Sequence, residues 1–209
     1  MGTIPIYWGE SGNVNELLGG DGASHWARLE LEKSYDLRPL DTLTPESLSG
    51  LKHLLLAQPR ALSAAENVAL DDWVRGGGRL LLFADPMLTG KSKFPIGDRR
   101  RPQDVVLLSP ILKHWGLELQ FDVERPEGFV LIQATDQPIP VNRPGSFVAL
   151  GTPGPCTLAA EAVLASCSIG EGRVVLLADA AVLDLYDPHP QAAAALDWLA
   201  GTAWSERGK

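Results

Sequence analysis

The sequence predicts an α/β fold built on a mainly parallel sheet, and three observations predict it. Two short, continuously apolar runs, residues 52–57 and 79–84, read as central strands covered on both faces. Between them stands a helix with explicit start and stop signals. Ser63 and Glu66 form an S-x-x-E capping box: the serine oxygen takes an orphan backbone N–H, and the glutamate reaches back to the N–H of the cap. Ala65, Ala69 and Trp73 then recur every four residues, and Gly76-Gly77-Gly78 ends the helix with residues that accept positive φ. Strand, helix and strand joined this tightly make a βαβ unit. The third observation is compositional. The 209 residues are 45% hydrophobic and 21% charged, an ordinary globular balance. A chain of this length buries roughly 70% of its unfolded surface, so its core needs no metal or disulfide framework. One α/β domain over residues 1–209 is expected.

From the N-terminus, residues 4–8 read as a first strand. After a glycine-rich stretch, Ser24 is placed to cap a helix carrying Trp26, Leu29 and Lys33. Residues 35–40 follow as a second strand, ahead of the βαβ unit. Residues 85–104 then hold Pro86, Gly90, Pro95, Gly97 and Pro102, too many breakers for a regular element, and mark a long loop excursion of the kind that is often functional. Ser109-Pro110 reads as a cap with proline at the first helical position; Ile111, Leu112 and Trp115 share a face and Gly116 lies past the end. Residues 117–121 make another strand. Across about 128–150, short apolar runs alternate with Pro138, Pro140, Asn142, Pro144 and Gly145, the pattern of a small antiparallel β insertion. Residues 163–169 and 173–178 flank Gly170-Glu171-Gly172, a hairpin signal that puts an antiparallel strand at the sheet edge. A last helix, residues 190–200, carries Ala192, Ala195, Leu196 and Leu199 on one face.

Charge and hydropathy exclude several functions. With 18 basic against 26 acidic residues the chain carries −8, which argues against nucleic acid and anionic membranes as partners, since both reward basic patches. The longest apolar runs, residues 80–84 and 174–178, fall far short of the roughly 20 residues a bilayer needs. Met1-Gly2-Thr3-Ile4-Pro5-Ile6 has neither a charged n-region nor a myristoylation signal, so either the protein is cytoplasmic or a leader or anchor was removed.

Candidate functional residues are expected to collect at one place. Glu10, Asp85 and Asp179 each follow a predicted strand, so they can gather along the carboxyl edge of the sheet as acid, base or hydrogen-bond acceptor; carboxylates in that position also cap helices or close turns. The excursion starts at the same edge, where open α/β sheets bind ligands, and brings Lys91, Lys93, Arg99, Arg100 and Arg101 into an otherwise acidic chain. Forked guanidinium groups there suit an anionic small molecule or an acidic partner surface. The competing reading is a solvated loop whose arginines pair with Asp98 and Asp104. Thr89-Gly90-Lys91-Ser92 resembles part of a phosphate loop, but Asp85 occupies the first glycine position and Pro95 and Gly97 stop the helix that must follow. G-x-S-x-G is absent; Gly9-Glu10-Ser11-Gly12 has the wrong spacing. Asp184, Asp187 and His189 are of metal-ligating type, yet Asp187-Pro188 reads equally well as a helix cap, and His25, His53 and His114 have no ligand spacing. No metal and no cofactor is expected. Cys156 and Cys167, eleven apart in a β segment, either meet disulfide geometry across adjacent strands or are two small buried free thiols.

Residues 54–86, L-L-L-A-Q-P-R-A-L-S-x-x-E-x-x-x-L-D-D-W-V-R-G-G-G-R-L-L-L-F-A-D-P, resemble the extracytoplasmic domain of ABC-transporter auxiliary proteins of the gliding-motility type. Gly170 to Asp179, G-x-G-R-V-V-L-L-A-D, and Leu112 to Leu117, L-x-x-W-G-L, are similar to that family too. The resemblance implies a three-layer α/β/α sandwich, class I glutamine amidotransferase-like or flavodoxin-like, usually held near a membrane, with transporter components as partners. It implies no established reaction. An amidotransferase needs a cysteine on the tight turn after a strand, beside backbone N–H groups that form an oxyanion hole; here that turn is Ala84-Asp85-Pro86. A disulfide between Cys156 and Cys167 agrees with an oxidising compartment such as the periplasm. The leading expectation is therefore a non-enzymatic, periplasmic, transporter-associated domain that binds a partner or anionic ligand at the carboxyl edge. A hydrolase or amidotransferase relative built on Glu10, Asp85 and Asp179 is the alternative, and a structural oligomerisation module is the third.

Overall fold

The computed structural model describes residues 2–10, 24–151 and 154–205. The glycine-rich stretch before the first helix, with Ser11 and Gly12 of the Gly9-Glu10-Ser11-Gly12 sequence, lies outside the described residues, as does Met1. In chain order come helices α1 (Trp26–Leu31) and α2 (Pro45–Leu48), strand β1 (His53–Ala57), helix α3 (Ala64–Arg75) and strand β2 (Arg79–Phe83). After the excursion follow α4 (Ser109–His114), β3 (Leu117–Gln120), β4 (Phe129–Ala134), β5 (Gln137–Asn142) and β6 (Ser146–Ala149). The chain ends with β7 (Cys156–Ala159), β8 (Leu164–Ile169), β9 (Gly172–Leu177), a 3-10 turn (Ala181–Leu183) and α5 (Ala192–Trp204).

The central sheet has the order β1-β2-β9-β8-β7 and is mixed, not mainly parallel. β1, β2 and β9 run parallel, because α3 and the long middle segment carry the chain back to the same end before each begins. β7, β8 and β9 follow one another through short turns, which forces antiparallel pairing. The Gly170-Glu171-Gly172 hairpin is formed, but its antiparallel strand β8 sits one in from the edge, which β7 occupies. The insertion makes two further two-stranded sheets, β3 with β6 and β4 with β5.

Around α3 the cap signals and the structure coincide, but the buried face is Glu66, Ala69, Leu70 and Val74, with Ala65 exposed and Trp73 half-buried. Ser63 Oγ accepts from the Glu66 N–H and Glu66 returns a carboxylate oxygen to the Ser63 N–H. Leu80, Leu81, Leu82 and Phe83 of β2 are 0–1% exposed, and Val174 to Leu177 of β9 are fully buried. Side chains of these types contribute about 1.5–3 kcal/mol each when buried. Gly172 is required by close approach: a Cβ there would overlap the carbonyl oxygens of Val74 and Gly78, where α3 meets the start of β9.

Five expected elements differ. Residues 4–8 form turns, not a strand: the Ile4 N–H reaches the Ala57 carbonyl of β1 at 3.4 Å, but Pro5 has no N–H, and the Ile6 and Gly9 donors are spent locally on the Ile4 and Pro5 carbonyls. Residues 35–40 are extended without a ladder, with Leu37 and Leu40 packed against the core instead. The cap of α1 is His25, whose Nδ1 accepts from the Ala27 N–H, and not Ser24. Ser109 is the first residue of α4 and Leu108 its cap, one position earlier than the proline suggested. α5 begins two residues later than expected and runs on to Trp204, since Ala200, Ala203 and Trp204 extend its buried face.

Candidate functional site

The register of the parallel strands brings Asp85 and Asp179 together. Phe83 of β2 stands opposite Leu177 of β9, and each aspartate lies two residues beyond its strand, on the same side of the pleat. Both are 0% exposed. Asp85 accepts the N–H groups of Met87 (2.8 Å) and Ala180 (3.1 Å). Asp179 accepts those of Ala181 (2.6 Å) and Asn142 (3.0 Å). Burial pushes the Asp85 carboxyl up to about 7, against the pull of its two N–H donors. Asp179 is raised well above the usual carboxylate range, first by burial and then by the charge of Asp85.

Three segments close over the pair. The excursion is tied down by the Leu88 N–H to the Asp104 carbonyl and the Val106 N–H to the Asp85 carbonyl. The insertion arrives through the Asn142 N–H and through Gly145, which donates to the Ala178 carbonyl at 2.8 Å. Gln58 brackets the third side: its amide donates to the carbonyls of Asp85 and Gln103 and its oxygen accepts the Asp85 N–H. Gln58 is fully buried at φ 50, a left-handed conformation held by these bonds. The sequence marks it only as the residue before Pro59.

Glu10 does not join the aspartates. Its Oε2 accepts from the Lys93 N–H and the Tyr186 hydroxyl, both at 2.8 Å. It lines a cavity of about 30 Å³ with His25, Lys91, Ala180 and Asp184. That space is near the volume of one water molecule. Burial lowers the His25 pKa to about 4, although the Leu183 carbonyl and the charges of Asp184 and Glu10 oppose the shift. The neutral ring spans two elements, Nδ1 capping α1 and Nε2 donating to the Leu183 carbonyl. Burial, then the hydrogen bond to Glu10, push the Tyr186 hydroxyl up to about 12. His25 and Tyr186 are the site residues that sequence reasoning missed. Their partners lie more than 150 positions away, beyond any local signal.

The basic excursion is divided. Arg100 forks onto Asp98 and covers the Phe94 ring at 4.1 Å, while Arg101 pairs with Asp104 and the Phe94 carbonyl. Among the described residues, Lys91 and Arg99 form no ion pair, and the Lys93 ammonium rests 5.6 Å from the Phe94 centroid. Asp184 accepts the N–H groups of Tyr186 and Asp187, the work of a turn, and among the described residues no group of metal-ligating side chains is assembled. Cys156 and Cys167 stand opposite each other in β7 and β8 and are joined by a disulfide. A cavity of about 490 Å³ lies elsewhere, along the outer edge of β1 between residues 2–8 and 35–41, with Tyr7, Trp8, Tyr35 and Trp204 in its walls.

A mixed α/β domain with a covered carboxyl edge is thus the class of structure. More particularly, the chain belongs to the ABC transporter auxiliary family, described as an ABC-type uncharacterized transport system, whose family model matches residues 24–141. That family gives the protein an accessory role in an ABC-type transport system. No curated protein matches the sequence. The N-terminal domain of mmIFT52 is similar in structure, with 16% identity, 87% of this chain and 90% of that chain covered, and a TM-score of 0.58. The cytoplasmic protein STM1381 from Salmonella typhimurium LT2 shares 13% identity over 83% of this chain and 80% of its own, at a TM-score of 0.53. The exo-beta-1,4-mannosidase Op5Man5 from Opitutaceae bacterium strain TAV5 aligns with 16% identity and a TM-score of 0.49; 80% of this chain is covered, but only 27% of the enzyme's length. Among the described residues no helix is long and apolar enough to cross a membrane.

Proposed function

We propose that this protein is a non-enzymatic, extracytoplasmic accessory domain of an ABC-type transport system, of the gliding-motility type, that docks an acidic surface of a transporter component through its basic excursion. The reading takes the chain as one α/β/α domain of amidotransferase-like fold. One observation carries it: buried Phe94 anchors the excursion and, among the described residues, Lys91, Lys93 and Arg99 have no carboxylate partner, in a chain of net charge −8. Cations held on an ordered loop lose little freedom on binding, which favours an acidic partner. The aspartates at the same edge already accept four backbone N–H groups and are sealed from solvent, so a carboxylate-based hydrolase lacks an accessible acid or base. The disulfide supports an oxidising compartment.

The test is capture of transporter subunits, identified by mass spectrometry, from detergent-solubilised membranes. The triple variant Lys91→Glu, Lys93→Glu, Arg99→Glu should lose them while wild type retains them at low salt. Equal capture by both proteins overturns the role of the loop. A second reading, a small ligand in the groove beside β1, is favoured by its volume of about 490 Å³ and aromatic walls, within the range of small-molecule sites. Retention of subunits by the triple variant but not by Leu37→Asp would shift the site there.

A further inference from the structure

The two edges of the β4–β5 hairpin are built in opposite ways. In β5, Pro138 and Pro140 face Gln133 and Leu131 of β4. Prolines cannot donate to a ladder, so these are the positions whose backbone points away from the partner strand. Asn142 has the same parity, and its N–H turns away from β4 to Asp179. The outer edge of β5 is therefore closed by prolines and by the body of the protein, where α5 and the 3-10 turn pack. By the same parity, Phe129, Leu131 and Gln133 turn their N–H and C=O groups outward from the free edge of β4. Among the described residues no other segment meets them.

That free edge carries none of the usual protections. From Gly128 to Thr135 there is no charge and no proline, whereas exposed edges are normally blunted by lysine, proline or a bulge. Its side chains are apolar and open to solvent: Val130 is 54% exposed, Leu131 50% and Phe129 37%. On the face that Val130 shares, Ile132 and Ala134 are buried, so the strand cannot slip by one residue to hide Phe129 and Leu131.

We infer that β4 is a self-association edge, pairing antiparallel with β4 of a second copy about a two-fold axis at Leu131. The pairing sets Leu131 opposite Leu131 and Phe129 opposite Gln133, each pair exchanging two backbone hydrogen bonds. It joins two hairpins into one four-stranded sheet. The register fits a second copy: residues 128–135 carry no charge, so no like charges meet across the two-fold axis. The main-sheet edge at β1 suits a second copy less, because it is recessed in the groove between residues 2–8 and 35–41. An interface of one strand pair is small, so association in the micromolar range is expected. This inference does not depend on the basic excursion, and the Lys91, Lys93, Arg99 variant should associate as wild type does.

Sedimentation velocity from about 1 to 500 μM tests it, with circular dichroism melting as the control for folding. Wild type should pass from monomer to dimer. Leu131→Lys and Leu131→Glu should each weaken dimerisation at least tenfold with unchanged melting, because like charges then face each other on the axis. A 1:1 mixture of the two should restore a dimer. Leu131→Pro, which removes only an outward N–H, should be monomeric and folded. A wild type that stays monomeric at every concentration overturns the proposal, as do Leu131→Lys and Leu131→Glu variants that dimerise as wild type does or whose mixture fails to recover.

Discussion

Replacing Asp85 by Asn should change the sign-bearing part of the pH–stability curve. In the unfolded chain this carboxyl titrates near 3.8, and in the folded protein burial raises it to about 7. Between those values the native state keeps a proton that the unfolded chain has released. Stability from this group is fully present below 3.8 and lost as pH rises toward 7. At about 1.4 kcal/mol per pH unit the loss is about 4 kcal/mol, with no discount for solvent because Asp85 is 0% exposed. Asp179, raised by burial and by Asp85, acts in the same direction. His25 acts in the opposite one: its folded value near 4 against 6.5 unfolded adds about 3 kcal/mol as pH rises through that window. Asn at 85 offers one acceptor to the two N–H groups of Met87 and Ala180, a penalty of about 1–3 kcal/mol that does not vary with pH. The shape of the curve is therefore the observable. Urea unfolding at pH 4, 5, 6 and 7 should show Asp85→Asn gaining about 3 kcal/mol on wild type across the series. His25→Asn, which keeps a capping oxygen, should lose about 3 kcal/mol on wild type between pH 4 and 6.5. Parallel curves for Asp85→Asn and wild type would refute the buried-proton account.

Gly172→Ala drives a Cβ into the Val74 and Gly78 carbonyls and should cost about 3 kcal/mol or more, read as a shifted denaturation midpoint. Reducing the Cys156–Cys167 bridge, whose partners are 11 apart, should cost about 3 kcal/mol by loop-closure entropy; intact-mass alkylation should count no thiols before reduction and two after. Glu66→Gln removes a carboxylate held at about 2, chiefly by Arg60, and should cost about 1–3 kcal/mol at pH 7. Because that stability is present above 4.5 and lost as pH falls through 2, the difference from wild type should shrink in acid unfolding.

What was legible in the sequence was local. The capping box of α3, the glycines that end it and the apolar runs of β1, β2 and β9 each carry their signal within a few residues, and each forms. Asp85 and Asp179 were legible as strand-following carboxylates, since a shared register makes residues two beyond paired strands neighbours. Glu10 was misplaced because residues 4–8 turn instead of running into the sheet. The mixed sheet was hidden for a related reason: an apolar run does not state its direction, and only the short turns around Ala160 and Gly170 decide it. Gln58, His25 and Tyr186 act through partners 27 to 176 positions away, where no pattern in the chain points to them.

The aspartate pair explains how the two surfaces of the protein are held. A buried pair that resists ionisation is a poor source of stability at neutral pH, yet its four acceptor contacts reach three different segments. Met87 leads into the excursion, Ala180 and Ala181 leave β9, and Asn142 ends β5. The Asn142 N–H is the group whose outward turn fixes the parity of the hairpin, and with it the edge that β4 presents. Carboxylates at a position that serves ligands in other α/β sheets here anchor the basic excursion and the β4–β5 hairpin. The four contacts thereby fix the orientation of both surfaces at the rim of the sheet.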